Sequence, residues 1–300
     1  MDRDEWLKFR QAGIGASEIA AVAGIDHYRS PLDVYLAKVN GKKTEDNQYM
    51  SWGRRLESII VQAYEDETGR ATRPSEPSII YSQEWDRALC TPDRLVDGGR
   101  LLECKSSRSD YGWGPVGTEE IPPSYYAQVQ WQLFCCRHLG FDVADVAALI
   151  GGSDFRIYEI AVNREFQLEL LAKAQEFWDR VERREPPIDS RSSLKSIENL
   201  YQPSQGIEAT LGDEAATLVD QYESIGDEIR SLESKKEELR AAMIVTMKDA
   251  QIGYLPDGRT IKRTVVRIPG GQRKESVQNR LTISRPKAQP QQDDLLASMR

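Results

Sequence analysis

Thr91-Pro92-Asp93-Arg94-Leu95-Val96-Asp97-Gly98-Gly99-Arg100-Leu101-Leu102-Glu103-Cys104-Lys105-Ser106-Ser107 is the stretch whose reading decides the fold. Two short apolar runs flank Gly98-Gly99, which predicts a β-hairpin turning at the two glycines. Side chains alternate along a strand, so Glu103 and Lys105 share one face while Leu102 and Cys104 face the other way, into a core. A hairpin's two ends are neighbours, which brings Asp93 near Glu103. Two carboxylates that close repel unless a cation sits between them. A few hard oxygen ligands, with room left for water and phosphate, suit Mg²⁺, with Mn²⁺ as a substitute. Lys105 is then placed to orient or help deprotonate a water for attack on phosphorus. The plain alternative is a solvent-facing hairpin that happens to carry Asp, Glu and Lys, and the rest of the chain bears on that choice.

Three hundred residues, 39% hydrophobic, allow one large domain or two ordinary ones with a real core. No apolar run is long enough to span a bilayer, and MDRDEWLKFR does not read as a signal peptide, so a cytoplasmic protein is expected. The four cysteines, Cys90, Cys104, Cys135 and Cys136, form no CxxC pair, and only two histidines are present, which excludes a typical zinc site and points to buried reduced thiols. The net charge of −8 argues against a protein that coats nucleic acid. From Arg259 to Arg300, however, ten Lys/Arg stand against three Asp/Glu, a balance of +7 that leaves the preceding part at −15. Any nucleic-acid contact is thereby confined to a groove or to the tail.

Along the chain, Ile14–Gly24 reads as a short helix with Ser17 near its start. Ser30-Pro31 opens a second helix, and a third runs from about Tyr49 to Thr68 with Trp52, Leu56, Ile59, Ile60, Ala63 and Tyr64 as its apolar stripe. Strands are expected at 78–81 and 88–90, before the hairpin. Residues 108–123 read as a loop, Ser124 opens a helix to about His138, and strands follow at 143–150 and 155–162. Asn163 caps a long helix that ends before Pro186-Pro187. The expected organisation is a catalytic domain over 1–185 and a linker over 186–207. A helix-plus-hairpin extension over 208–270 and a basic, disordered tail over 271–300 follow. In the extension, Leu218, Tyr222, Ile225, Ile229, Leu232, Leu239 and Met243 repeat at 4-3 spacing with Lys236 filling one slot, a coiled-coil-like stripe.

Other constellations admit two readings. Glu57 in Gly53-Arg54-Arg55-Leu56-Glu57 is either a solvated helix residue or a third carboxylate that reaches the same metal site or a second ion. Arg10 and Ser17 bracket Gly13-Ile14-Gly15-Ala16-Ser17-Glu18, where a turn entering a helix offers N–H groups to a phosphate, a serine to donate and a guanidinium to clamp. The alternative is a plain N-cap serine. Tyr125-Tyr126-Ala127-Gln128-Val129-Gln130-Trp131-Gln132 puts three glutamines on one helix, either at its surface or bonded to DNA backbone or a metal-site water. Trp113 in the Gly-rich loop is either packing or a stacking platform for a base.

Taken in order, GIGASE near the N-terminus, helical Glu57, Asp93, Glu103-Cys104-Lys105 and the Ala127–Gln130 helix resemble the YqaJ/lambda-exonuclease family of phage recombination nucleases, within the PD-(D/E)XK superfamily. The resemblance covers about residues 5–185. It implies an α/β fold with a mixed central sheet flanked by helices. Mg²⁺ would be held by Asp93, Glu103 and the backbone carbonyl of Cys104, with Glu57 at the metal site and Lys105 serving the nucleophilic water. A glutamine of the Gln128–Gln130 segment would approach the metal, Gln128 being preferred. The resemblance also implies a 5′-phosphate pocket of Arg10, Ser17 and Thr91. It implies double-stranded DNA ends as substrate, homo-oligomers such as trimeric rings, a single-strand annealing protein as partner and a phage or prophage gene in a bacterial host. The implied activity is 5′-to-3′ digestion of one strand of linear duplex DNA, leaving a 3′ overhang. The alternatives are a restriction- or CRISPR-associated nuclease of the same superfamily, or a catalytically inactive scaffold that binds DNA ends or an annealing protein.

Overall fold

The computed structural model describes residues 11–41, 48–76, 78–268 and 276–284, and the chain divides into two compact units, Met1–Ser204 and Gln205–Arg300. Among the described residues no helix is long and apolar enough to cross a membrane.

The first unit is built on a mixed five-stranded sheet in the order β2-β5-β6-β7-β8: Thr72–Arg73, Arg94–Val96, Arg100–Ser107, Val143–Ile150 and Asp154–Ala161. Only β6 and β7 run parallel. Their connection is long enough to hold the loop at 108–122 and helix α4, Pro123–Cys136, as a parallel pair requires. Helix α4 begins on a proline at its first position instead of on a Ser124 cap. Three more helices precede it: α1 at Ala16–Val22, α2 at Pro31–Asn40 and α3 at Gln48–Thr68. Helix α5, Arg164–Arg183, follows β8. A small second sheet sets β1, Ile14–Gly15, parallel to β4, Ala88–Cys90, with β3, Ile80–Tyr81, on its other side. The β1–β4 approach needs glycine beforehand: a Cβ on Gly13 would lie 2.3 Å from the Arg87 carbonyl oxygen, which accepts the Ile14 N–H at 2.6 Å.

The sheet separates two apolar clusters. Leu101, Ala144, Val146, Ala148 and Ile160 face the larger one, shared with α1, α2, α4 and α5. On the other face Leu102, Ala147 and Val96 pack on Ile60, Val61 and Tyr64 of α3, with Cys104 alongside. The alternation expected along β6 is therefore present. The α3 stripe is narrower than the sequence predicts: Trp52 and Ile59 are 52% and 59% exposed, because the sheet contacts the helix through Ile60, Val61 and Tyr64. The Arg55 guanidinium lies 5.5 Å from the Trp52 ring instead.

Part of the expected linker is structured. Helix α6, Leu194–Leu200, is capped by Ser193, whose hydroxyl accepts the Ser196 N–H at 3.1 Å; the Ser196 hydroxyl in turn donates to Asp33 of α2. These bonds bring most of 186–207 into the first unit. The second unit holds the long helix α7, Asp213–Met247, and an antiparallel sheet of β9, Ile252–Tyr254, β10, Thr260–Ile268, and β11, Ser276–Ser284. The hairpin at 251–268 forms as expected, but β11 occupies part of the stretch expected to be disordered. Its backbone pairs with β10 along nine residues, and that ladder does not depend on apolar content.

Candidate active site

The β5–β6 hairpin is made by a three-residue connection, not the two-residue turn that Gly98-Gly99 suggests. Val96 pairs with Arg100, leaving Asp97, Gly98 and Gly99 in the turn, with both glycines at positive φ (+87° and +77°). That one residue matters. Arg94 pairs with Leu102, so the same register carried one step further sets Asp93 across from Glu103 on the α4 face. A two-residue turn would have put them on opposite faces. Asp93 Oδ2 accepts the Cys104 N–H at 2.7 Å, which ties the entrance of the hairpin to its far strand.

Glu103 is the hub. Its Oε1 accepts from Lys105 Nζ at 2.6 Å and from Gln128 Nε2 at 2.5 Å, and its Oε2 accepts from Gln132 Nε2 at 2.6 Å. Lys105 Nζ also donates to Gln128 Oε1 at 3.0 Å and lies 4.6 Å from the Tyr125 ring centre. Gln128 and Gln132 are one helical turn apart on α4, so one face of that helix holds both oxygens of the carboxylate. Burial, and then the negative charge of Glu103, push the Asp93 carboxyl well above the usual range; the Cys104 N–H and Lys105 oppose them. Burial works to lower Lys105, but the charge and hydrogen bond of Glu103 outweigh it and hold the ammonium above its ordinary value. Burial pushes the Cys104 thiol up, so it is no nucleophile at neutral pH. Cys90, Cys135 and Cys136 are buried free thiols, as expected.

Several expected site residues stand elsewhere. Trp113 is buried, 5.6 Å from the Tyr125 ring and 5.4 Å from the Tyr158 ring, so it packs the loop onto the sheet and offers no base-stacking face. Gln130 is also buried and bonds the backbone of 161–163: its Nε2 donates to the Ala161 carbonyl at 2.7 Å and its Oε1 accepts the Asn163 N–H at 2.9 Å. It braces β8 and α5 and cannot reach DNA. Glu57, by contrast, adjoins the site from α3: Arg94 Nη1 donates to it at 3.0 Å, and its charge adds to the raising of the Asp93 carboxyl and the Cys104 thiol. Among the described residues no three His, Cys, Asp or Glu side chains converge as a metal cage. Arg10 lies outside the described residues. Ser17 is exposed as the second residue of α1, whose N-cap is Gly15 with Glu18 reaching back to the Gly15 N–H at 3.0 Å. Ser17 and Thr91 both lie just past the same ends of the paired strands β1 and β4, two residues before Asp93 in the case of Thr91.

Gln132 enters the sequence reading only as one of three glutamines and is not among those implied for the metal site, although its i, i+4 relation to Gln128 is the signal that picks it out. Its Oε1 is buried and accepts no hydrogen bond among the described residues. Gln132→Met is expected to leave Glu103 Oε2 buried without a donor and to cost about 1–3 kcal/mol of folding stability. Chemical denaturation of the metal-free protein checks this; an unchanged midpoint and slope would mean that water replaces the amide.

The donor set fits a small divalent cation. Asp93 Oδ1 receives no hydrogen bond among the described residues, Glu103 Oε2 has one donor and so one lone pair to spare, and Asp93 and Glu103 repel each other.

Residues 5–138 match the family model of the YqaJ-like viral recombinase domain. The protein YqaJ of Bacillus subtilis is 31% identical over 276 residues, spanning 89% of this chain and 85% of that protein. Among solved structures, an alkaline exonuclease from Laribacter hongkongensis is 20% identical and aligns over 60% of this chain and 93% of its own, with a TM-score of 0.48. A phage related exonuclease from Haemophilus somnus is 13% identical, over 60% and 99%, with a TM-score of 0.44. With the extent and identity of the match to YqaJ beside the ordered motifs, the chain belongs to the YqaJ-like viral recombinase family.

Proposed function

We propose that the protein is a Mg²⁺-dependent exonuclease that digests one strand of linear duplex DNA from the 5′ end, leaving a 3′ overhang for single-strand annealing. The observation that carries this reading is the Asp93–Glu103–Lys105–Gln128 constellation on one face of β6. Asp93, Glu103 and the Cys104 carbonyl would hold the ion, and Mn²⁺ would substitute. When bound, the ion supplies Lewis-acid neutralisation of charge on the phosphodiester. Glu57, whose Oε1 accepts from Arg94, would join this set through its other carboxylate oxygen.

The chain's own residues do the rest. An ammonium has three donors, and Lys105 uses two of them, on Glu103 and Gln128. The third is left for the attacking water or a phosphoryl oxygen. Held from three sides, Lys105 needs little reorganisation during the reaction. Neutralising Asp93 and Glu103 removes the charges that keep Lys105 protonated and leaves burial, which favours the free amine. Water adds to the phosphorus that joins the terminal nucleotide to the next, and the terminal nucleotide's own 3′ oxygen departs with net transfer of a proton from the water. That nucleotide is released carrying its original 5′-phosphate, while the next one keeps the new 5′-phosphate. Ser17, Thr91 and Arg10 would bind the terminal 5′-phosphate, Ser17 and Thr91 from the strand ends that adjoin Asp93. Homo-oligomeric, ring-like assembly on duplex ends and delivery of the overhang to an annealing protein complete the reading.

Linear duplexes labelled at either the 5′ or the 3′ end, incubated with and without Mg²⁺, test it. Label release from the 5′ end as mononucleotide, abolished by chelation, is expected. Equal release from both ends, or cutting of closed circles, would count against it. A 5′-phosphorylated duplex should also be digested faster than its 5′-hydroxyl counterpart, and Ser17→Ala should shrink that ratio about ten-fold, the worth of one hydrogen bond to a charged group. An unchanged ratio would remove Ser17 from the pocket.

A further inference from the structure

Helix α7 of the second unit carries Leu218, Tyr222, Ile225, Ile229, Leu232 and Leu239 at 51–81% exposure, in a 4-3 repeat that places all of them on one seam. We propose that this seam pairs with the α7 of a second copy of the chain, antiparallel, in the register that sets Ile229 of each copy against Leu232 of the other.

The flanking charges choose the occupant and its direction. With Tyr222, Ile229, Lys236 and Met243 at the a positions and Leu218, Ile225, Leu232 and Leu239 at d, the g positions include Glu228 and Lys235 and the e positions Glu233 and Arg240. In a parallel pair each g residue faces the next e residue of the other helix. That sets Glu228 against Glu233 and Lys235 against Arg240, like against like on both sides of the seam. In the antiparallel register g faces g, so Glu228 of each copy meets Lys235 of the other. The nearest e–e contact then sets Gly226 against Glu233, with no repulsion. The core layers become Ile229–Leu232, Tyr222–Leu239, Met243–Leu218 and Lys236–Ile225, each occurring twice. Lys236 costs stability in its layer and penalises slipped registers, the known use of a polar residue at an a position. Neighbouring charges are already satisfied within the helix, Arg230 on Asp227 and Arg240 on Glu237 at 3.3 Å. Glu228 and Lys235 make no ion pair among the described residues, which leaves both for the second copy.

Such a contact is two-fold, the same surface on both copies. It therefore gives an even number of protomers, a dimer if it acts alone and a doubled ring if it joins ring-shaped assemblies. The pairing stands independently of the nuclease reading.

The test is sedimentation of the full-length protein across a concentration range, with helix content followed by circular dichroism. The wild type is expected to associate into an even-numbered species. Glu228→Lys and Lys235→Glu each replace two attractive contacts by two repulsive ones, and each should raise the concentration for half-association roughly ten-fold or more. The double variant, with the charges exchanged, should return to the wild-type value, and mixing the two single variants should restore association between unlike chains. Tighter association in both single variants would show a parallel pair and overturn the proposal. A concentration-independent mass that ignores all three variants would overturn it as well, since α7 would then dock within its own chain.

Discussion

Asp93→Asn is expected to abolish nuclease activity while raising the melting temperature of the metal-free protein. The amide keeps an oxygen to accept the Cys104 N–H, which Asp93 now accepts at 2.7 Å, so the hairpin stays tied. What disappears is a charge that burial and Glu103 both oppose, and which holds the Asp93 carboxyl well above its ordinary value. The folded state therefore binds more protons than the unfolded chain between about pH 4, the unperturbed value, and the raised folded value. In that window wild-type stability is greatest at the acid end and falls as the pH rises through the folded pKa. The asparagine variant lacks this slope, so its advantage grows with pH to neutrality. Adding Mg²⁺ should reverse the order, because a ligand bound only by the native state stabilises it, and the variant has lost a charged ligand. Cleavage should fall by about 10²–10³-fold or more, the scale for removing one preorganised electrostatic element. Melting curves from pH 4 to 8, with and without Mg²⁺, beside initial rates on a linear duplex, contain both halves of the claim. Wild-type rates in the variant, or a metal-free melting point several degrees below the wild type at neutral pH, would remove Asp93 from the role assigned to it.

Local pattern made the hairpin legible, and with it the carboxylate pair. Alternation in Arg100–Ser107 and the glycine pair in the turn are contained in one short stretch. The turn length was not legible, because Asp97 can end a strand or begin a turn, and only the partner register decides between them. Gln128 was legible as one of three glutamines. Choosing among the three depends on which face of α4 meets β6, and that is a tertiary fact: Gln130, two residues on, points to the backbone at 161–163. Trp113 lies in a stretch rich in Gly and Pro, where an aromatic reads as exposed. Its burial comes from Tyr125 and Tyr158, the latter 45 residues downstream. The Glu57–Arg94 pair needs α3 packed on the face of the sheet that carries Arg94, with no motif to announce it. Helix α6 was hidden by a polar stretch whose capping serine, Ser193, has no apolar run behind it.

The largest effect on stability is expected from a carboxylate that no local motif marks. Asp145→Ala should lower the melting temperature by roughly 6–12 °C and leave the specific activity of the folded fraction close to wild type. Asp145 lies on β7 opposite Leu102, on the α3 face of the sheet and away from Glu103, which pairs with Val146. It is 1% exposed. Arg100 grips both of its oxygens, through Nε at 2.9 Å and Nη2 at 2.5 Å; Arg70 Nη1 donates at 3.0 Å and the Tyr64 hydroxyl at 2.5 Å. Burial of a charge is tolerated where donors saturate it. Asp93 has the opposite environment, a single backbone donor and a like charge nearby. Deleting Asp145 leaves a fully buried Tyr64 hydroxyl and two cations without their shared partner. Breaking a buried pair on one side costs about 3–5 kcal/mol. The low end applies, because Arg70 is 40% exposed and can turn to water while Arg100 retains Glu159. At about 2–4 °C per kcal/mol for a unit near 200 residues, that gives the stated fall. Salt should change the difference little, since a buried pair is weakly screened. The informative measurement is a melting curve of each variant in low and high salt beside its specific activity. Asp93→Asn should lose activity and gain stability, and Asp145→Ala should do the reverse. If Asp145→Ala instead melts within a degree or two of wild type, water or a rearranged Glu159 neutralises Arg100 and the cluster holds the sheet less tightly than its geometry implies.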